Sequence, residues 1–345
     1  MQMIPDYDMI EKIALKKYDS NGMSDAYDLW PKLSAESYEK SIKFDIHFDD
    51  IDHIVFVGMG GSGAAGEILR GVLSKSNIHT TVVKGYTLPK TVDSNTLIFT
   101  TSVSGNSVEP LATLEQSKNT RAQIVCFSSG GKMQDYCLKN KINYHQIKQV
   151  NSPRASLPIV LYSMLSILGG NFGIKTDGIA ESISLLEQTA KKIDSNNITQ
   201  DNPSLALGEW ITKIPVIYYP YGLYAAALRF KNSLQENSKR NAMIEDVVEA
   251  CHNNIVSWEM PAPVQPILVR GVDDYVKTKE RWDILKQYFN DNNIEFHEVM
   301  SVKGCILSKI INLIYVLDYA TIYNAAINKI DPTTIKSIDY VKSKL

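Results

Sequence analysis

Cysteine is scarce in this chain: 345 residues contain four, at Cys126, Cys137, Cys251 and Cys305. Four are too few to staple a chain of this size, and their spacing holds no CxxC pair and no Cys/His set of the zinc type. A disulfide scaffold and a structural zinc site are excluded, and a reducing cytoplasm is the expected compartment. Excess charge is lacking too. Lys and Arg number 36 against 38 Asp and Glu, a net charge of −2. No run of five or six like charges makes a tail or a nucleic-acid stripe, so small molecules or proteins are the expected partners. The opening MQMIPDYDMIEK carries acids where a leader needs cations, so no secretory or transit segment is expected. Long apolar runs are nearly absent. The exception is ASLPIVLYSMLSILGGNFGI, the uncharged residues 155–174, long enough for a membrane span. Pro158, three serines, Asn171 and the Gly169–Gly170 pair interrupt it. The better reading is a buried core helix of about twelve residues, with Ser156 at its N-cap and Pro158 in its first turn.

What is present is a globular composition, 44% hydrophobic, with a length that suggests about two domains. Residues 1–50 read as a polar, periodic, helical preamble that packs on the rest. From residue 53 short β-branched runs alternate with longer helical ones: HIVFVG before GAAGEILRGVL, HTTVVKGY, TLIFTTS before NSVEPLATLEQSK, AQIVCFSS before KMQDYCLK, then INYHQI. This alternation predicts an α/β fold, a parallel sheet with helices on both faces. A second helical stretch, GIAESISLLEQTAKKI, precedes the polar segment DSNNITQDNPS, residues 194–204, the best linker candidate. The same grammar then returns with IPVIYYPYG, a helix over LYAAALRFKNSLQENSKRN, QPILVRGVDD, IEFHEVM and a long apolar helix, before a last helix from about Pro332. The expectation is therefore the 1–50 preamble, a first α/β domain over 51–193 and a second over 205–345, each a flavodoxin-like layering of sheet and helices.

Two turns carry candidate chemistry. VGMGGSGAAG contains Gly58-x-Gly60-x-x-Gly63 between a strand and a helix, the context of a dinucleotide fingerprint. That fingerprint needs an acid about 20 residues on for the ribose, yet residues 70–90 contain no Asp or Glu. No nucleotide cofactor is therefore expected; the turn Gly60, Gly61, Ser62 brings backbone amides and a hydroxyl to a helix N-terminus. One βα unit later, TTSVSGNSVEP places Ser102, Ser104 and Ser107 at the next such N-terminus, a cradle suited to one phosphomonoester without lysine or Mg²⁺. Any loop uses Ser, Asn and Gly. Two such turns at one sheet edge, where α/β proteins bind ligands, favour a site.

GMGGSGAAG, SVSGNSVEP and SPRASLP at 152–158 together resemble the sugar isomerase (SIS-domain) superfamily, and specifically the bifunctional phosphoglucose/phosphomannose isomerases. KNSLQENSKRNAMIEDVVEACHNNIVSWE, residues 231–259, resembles that family's Glu-Asn helix and His-Asn motif, and IDPTTIKSIDYVKSKL its C-terminal helix. The likeness runs from about residue 50 to the end. Glu67 stands where the family has an acidic residue, and Ser107 where a Thr is common. The resemblance implies two sugar-isomerase-type subdomains and a metal-free aldose–ketose isomerase acting on glucose, fructose and mannose 6-phosphates through a cis-enediol.

Residue by residue, the resemblance gives the phosphate to Ser102, Ser104 and Ser107, proton transfer between C1 and C2 to Glu236, and ring opening to His252 across a homodimer interface. Arg154 and the Gly60–Ser62 turn would steady enediolate charge, and Lys342 would complete the site. Read without the resemblance, these residues are blander. Glu236 lies two positions after Leu234 of the stripe Leu223, Ala227, Phe230, Leu234, so at 100° per residue it points to solvent. His252 reads as a loop histidine, Arg154 as a solvated helix flank and Lys342 as a solvated terminal lysine. A non-catalytic sugar-phosphate binder and another sugar-phosphate isomerase remain alternatives; amide transfer would need a nucleophile domain that residues 1–50 cannot house.

Overall fold

The computed structural model describes residues 12–40 and 42–344; the first eleven residues of the expected preamble lie outside them. Five strands, β1 (His53–Val57), β2 (His79–Val83), β3 (Thr96–Thr101), β4 (Gln123–Ser128) and β5 (Asn143–Gln146), form one sheet in the order β2-β1-β3-β4-β5. Four more, β6 (Ile214–Tyr219), β7 (Met243–Asp246), β8 (Val264–Arg270) and β9 (His297–Met300), form a second in the order β7-β6-β8-β9. All pairings are parallel. The α/β reading of two helix-flanked parallel sheets thus holds.

Continuous β-branched runs make buried strands, and β1 and β3 are buried along their whole length, as a sheet covered on both faces requires. The strand that sequence reading overlooks is β7. Its four residues, MIED, lie at a sheet edge and are half-exposed with two acids, so no apolar run announces it. In the first sheet the order reverses at β1: β2 lies on one side, β3 on the other. The loops leaving β1 and β3 therefore diverge and open a crevice at their carboxyl ends. Both candidate turns sit on these loops.

The uncharged stretch folds as the helix Leu157–Leu168, twelve residues, with Ser156 at the N-cap and Pro158 in its first turn. The longer helix Ile306–Ile327 is also apolar and long enough to cross a membrane, but 89% of its apolar window is buried inside the fold. It is the central post of a core that takes Phe56, Phe99 and Phe127 from the first sheet and Ile217, Ile267 and Val299 from the second. The preamble docks on the same post: Tyr27 and Trp30 are fully buried. Tyr27 donates to Asp318 at 2.8 Å and Trp30 to the Ala155 carbonyl at 3.0 Å. The polar 194–204 segment is anchored there too, because buried Asn202 caps the helix Pro203–Trp210 and donates to the Tyr323 hydroxyl.

Candidate active site

The helix Gly60–Leu73 begins without a side-chain cap; the Ser62 and Gly63 amides donate to the Met59 carbonyl at 3.0 and 3.3 Å, which leaves those of Gly60 and Gly61 for a ligand. Gly61 is glycine for a steric reason: a Cβ there would stand 2.8 Å from Arg154 Cα. The β1 turn and the segment before Leu157 therefore touch backbone to backbone. Ser62 Oγ accepts from the Val103 amide at 3.2 Å, which ties the β1 turn to the β3 turn.

In the β3 turn, Ser102 Oγ bonds Ser107 Oγ at 3.2 Å and accepts from the Ser107 amide at 3.3 Å. Ser104 is exposed, its Oγ accepting from the Asn106 amide at 3.3 Å. Ser107 is the N-cap of the helix Val108–Ser117, yet its hydroxyl makes no cap bond. The three hydroxyls converge on an uncapped helix start, a geometry suited to a phosphate. The loop after β4 backs this turn so closely that a Cβ on Gly105, at φ 72°, would collide with the Gly130 carbonyl. Where a dinucleotide site would place its ribose acid, β2 instead runs into Lys84, whose ammonium pairs with buried Glu67 at 2.5 Å. This chemistry does not fit a ribose anchor.

The structure corrects two of the readings made without the resemblance. Arg154 is no solvated flank: it is 2% exposed. Its Nε donates to Asn237 Oδ1 at 2.7 Å, Nη1 to Glu236 Oε2 at 3.2 Å, and Nη2 to the Pro332 and Thr333 carbonyls at 2.6 and 3.2 Å. Glu236 is no free surface carboxylate either, its side chain being 24% exposed and paired with Arg154. The reason is tertiary. Glu236 is the last residue of its helix, Tyr224–Glu236, which ends well before the expected Asn241, and the C-terminal turn 331–334 covers that end. The last helix accordingly starts only at Lys336.

A cleft of about 640 Å³ opens here, with Gly60, Gln235, Glu236, Lys239, Thr334 and Lys336 among its walls. Of the expected site residues only Gly60 and Glu236 line it; Gly61, Ser62, Ser102, Ser104, Ser107, Arg154, His252 and Lys342 do not. His252 is exposed in a turn beyond the carboxyl end of β7, its amide donating to the Glu249 carbonyl at 2.8 Å, and Lys342 is exposed on the last helix. Below the cleft lies a pair that sequence reading missed: Arg229 and Asp318, 4% and 0% exposed, 2.7 Å apart. Arg229 also donates to the Arg154 carbonyl at 2.9 Å. The missed Lys239 had a signal, a cation just past a helix C-terminus where carbonyls lack partners. Among the described residues no group of three or more His, Cys, Asp or Glu could hold a metal ion.

The SIS domain family matches residues 47–147, and the bacterial phospho-glucose isomerase C-terminal SIS domain matches residues 200–345. A bifunctional phosphoglucose/phosphomannose isomerase of Caldicellulosiruptor bescii is 31% identical, over 91% of this chain and 96% of its own length. The chain belongs to this family of isomerases. A D-glucosamine-6-phosphate 4-epimerase of Sulfolobus acidocaldarius is 29% identical over 68% of this chain and 72% of its own length. Among solved structures, a hypothetical protein from Thermus thermophilus superposes with a TM-score of 0.74 at 13% identity, covering 96% of this chain and 92% of that one. That last likeness speaks for the fold alone.

Proposed function

We propose that this family member is an aldose–ketose isomerase interconverting glucose 6-phosphate and fructose 6-phosphate, with mannose 6-phosphate as a further substrate, through a cis-enediol. The observation that carries it is the Glu236 carboxylate at a cleft, paired with a buried Arg154 beside the β1 turn. The Glu236 carboxylate takes the proton from C2 of the open-chain aldose; the C–H electrons form the C1=C2 bond of the enediol as the C1=O1 π pair moves onto O1, which takes a proton; the O2 proton then leaves, the C2=O2 bond forms, and the C1=C2 pair takes the proton back from the same carboxyl at C1. Negative charge develops on the sugar oxygens. Arg154, fixed by Asn237 and two carbonyls, meets that charge without reorganising. The phosphate is assigned to Ser102, Ser104 and Ser107, and the Gly60–Gly61–Ser62 turn to steadying the enediolate charge.

Ring opening is assigned to His252 of the partner subunit in a homodimer. Support comes from its exposed place beyond β7 and its absence from its own chain's cleft. Lys342, on the last helix beside the cleft-lining 334–338 segment, is the remaining candidate. The four free cysteines suit a reducing cytoplasm, and no nucleic acid or membrane partner is proposed. The two-domain division over 51–193 and 205–345, after the preamble, is part of this reading, supported by one sheet falling in each range.

The test is a coupled assay of the purified protein on glucose 6-phosphate and mannose 6-phosphate, with and without EDTA. Conversion of both to fructose 6-phosphate, unaffected by EDTA, is expected. No conversion of either, with glucosamine 6-phosphate epimerised instead, would overturn the reading. Within the serine turn, Ser104→Ala removes one charge-assisted hydrogen bond of roughly 1.5–3 kcal/mol. KM should rise about 10-fold or more, with kcat within a few-fold. An unchanged KM would take Ser104 out of the phosphate cradle.

A further inference from the structure

Asn21, in the preamble, touches both segments that meet at the Arg154 guanidinium. Its turn is set locally. The buried Asp19 carboxylate accepts from the Met23 amide at 2.7 Å and from the Ser24 amide and hydroxyl at 2.6 Å each, satisfying the first amides of the helix Met23–Asp28. Gly22 supplies the left-handed φ of 68° between them. Asn21 stands exposed in this turn, its carbonyl and its side chain both spent on distant segments. The carbonyl accepts from Asn151 Nδ2 at 2.6 Å, and Asn21 Nδ2 donates to Asp331 Oδ2 at 2.7 Å. Asn151 lies three residues before Arg154, and Asp331 opens the turn 331–334, whose Pro332 and Thr333 carbonyls receive Arg154 Nη2. One residue thus ties the segment that carries the guanidinium to the turn that accepts from it.

Asp331 passes the constraint on. Its Oδ1 accepts from the Thr333 amide at 2.7 Å, which fixes the peptide units between them, and Ser20 Oγ adds a bond to Oδ2 at 3.3 Å. Among the described residues the turn has hydrogen-bond partners outside itself in Ser20, Asn21, Arg154 and Lys239, and Lys239 meets only the Asp331 backbone carbonyl. The preamble therefore steers the carboxylate that shapes the turn. On the far side, Arg154 spends Nε on Asn237 and Nη1 on the Glu236 carboxylate. A guanidinium is planar, so a turn that drifts takes Nη2 with it and swings Nη1 against Glu236, the cleft-lining carboxylate. Resting on the isomerase reading, we propose that Asn21 is a positioning residue for the proton transfer: it holds Arg154, and through it the Glu236 carboxylate, in the orientation that reaches the C2 proton. Asn21 itself is not a wall of the cleft. Its effect is on geometry: a general base must lie within hydrogen-bond reach of the proton it takes, and a displacement of about 1 Å in such a group costs up to about 10²-fold in rate.

The experiment is steady-state kinetics on glucose 6-phosphate and on its C2-deuterated form, with a thermal melt of each protein. Asn21→Ala deletes the bond to Asp331 and keeps the carbonyl bond to Asn151. Its kcat should fall about 10-fold with KM within about twofold. The deuterium effect on kcat should be at least as large as in the wild type, and the melt should be unchanged, since the side chain is exposed. Asn21→Asp sets carboxylate against carboxylate and should cost more. Asn21→Asp/Asp331→Asn reverses the bond: the amide at 331 keeps its oxygen for the Thr333 amide and turns its nitrogen to the carboxylate at 21, so kcat should return to within about threefold of wild type. A residue that merely braced the fold would shift the melt and KM together. That pattern, an unchanged kcat in Asn21→Ala, a smaller deuterium effect, or a reversed pair no better than Asn21→Asp overturns this inference alone. Failure of the wild-type protein to isomerise any hexose phosphate overturns the isomerase reading and takes this inference with it.

Discussion

Glu236→Gln is expected to lower isomerase turnover by at least about 10²–10⁴-fold while leaving substrate affinity and the melting transition close to wild type. The amide keeps the size of the side chain, and its oxygen still accepts the Arg154 Nη1–H bond seen at 3.2 Å; what disappears is the oxygen that can hold the C2 proton. Stability should change by no more than about 1 kcal/mol, because Arg154 retains Asn237 and the two carbonyls of the C-terminal turn. Steady-state kinetics on glucose 6-phosphate, with a melt of the same preparation, decides it. Wild-type turnover in this variant would remove Glu236 from the chemistry. A large loss of stability would mean instead that the carboxylate is a structural partner of Arg154.

Asp318→Ala should have the largest effect on stability, about 3–5 kcal/mol by urea unfolding. The carboxylate is fully buried and serves several donors: Tyr27 at 2.8 Å, Arg229 at 2.9 and 2.7 Å, and Ser233 at 2.6 Å. Truncation leaves the Arg229 guanidinium charged, buried and without its counter-ion, and desolvation is not repaid. Removing both charges in Asp318→Ala/Arg229→Met should recover part of the loss, which distinguishes an unpaired charge from a cavity. A loss below about 1 kcal/mol for the single variant would show that water or neighbouring groups take over the pairing. Since Arg229 also holds the Arg154 carbonyl, turnover should fall alongside stability.

How much of this was legible beforehand varies by kind of residue. The alternation of apolar runs predicts the parallel sheets, because strands buried on both faces must be apolar at nearly every position. It finds eight of the nine strands among the described residues and fails at β7, a half-exposed edge of four residues that buries too little to leave a pattern. The twelve-residue helix Leu157–Leu168 follows from Pro158 and its uncharged run, since both act locally. The glycines of the β1 turn are visible as a motif, but only the approach of Arg154 to 2.8 Å from a Cβ on Gly61 says why one of them is required.

The charged residues divide differently. Taken alone, the sequence determined the sheet-and-helix layering, the two polar turns at one sheet edge and the lack of a ribose anchor, all of which depend on residues near one another in the chain. Motif likeness singled out Glu236 and Arg154, but helical periodicity turned Glu236 toward solvent and place in the chain left Arg154 as a flank. Tertiary structure decided otherwise, bringing residue 154 to residues 236, 237, 332 and 333 and burying Arg229 against Asp318, 89 positions away. Periodicity reports which face of a helix looks at its own core; it carries no information about which distant segment will cover a helix end. Where a covering segment brings carbonyls to a helix end, the pairing of Arg154 with Glu236 is a property of the assembled fold.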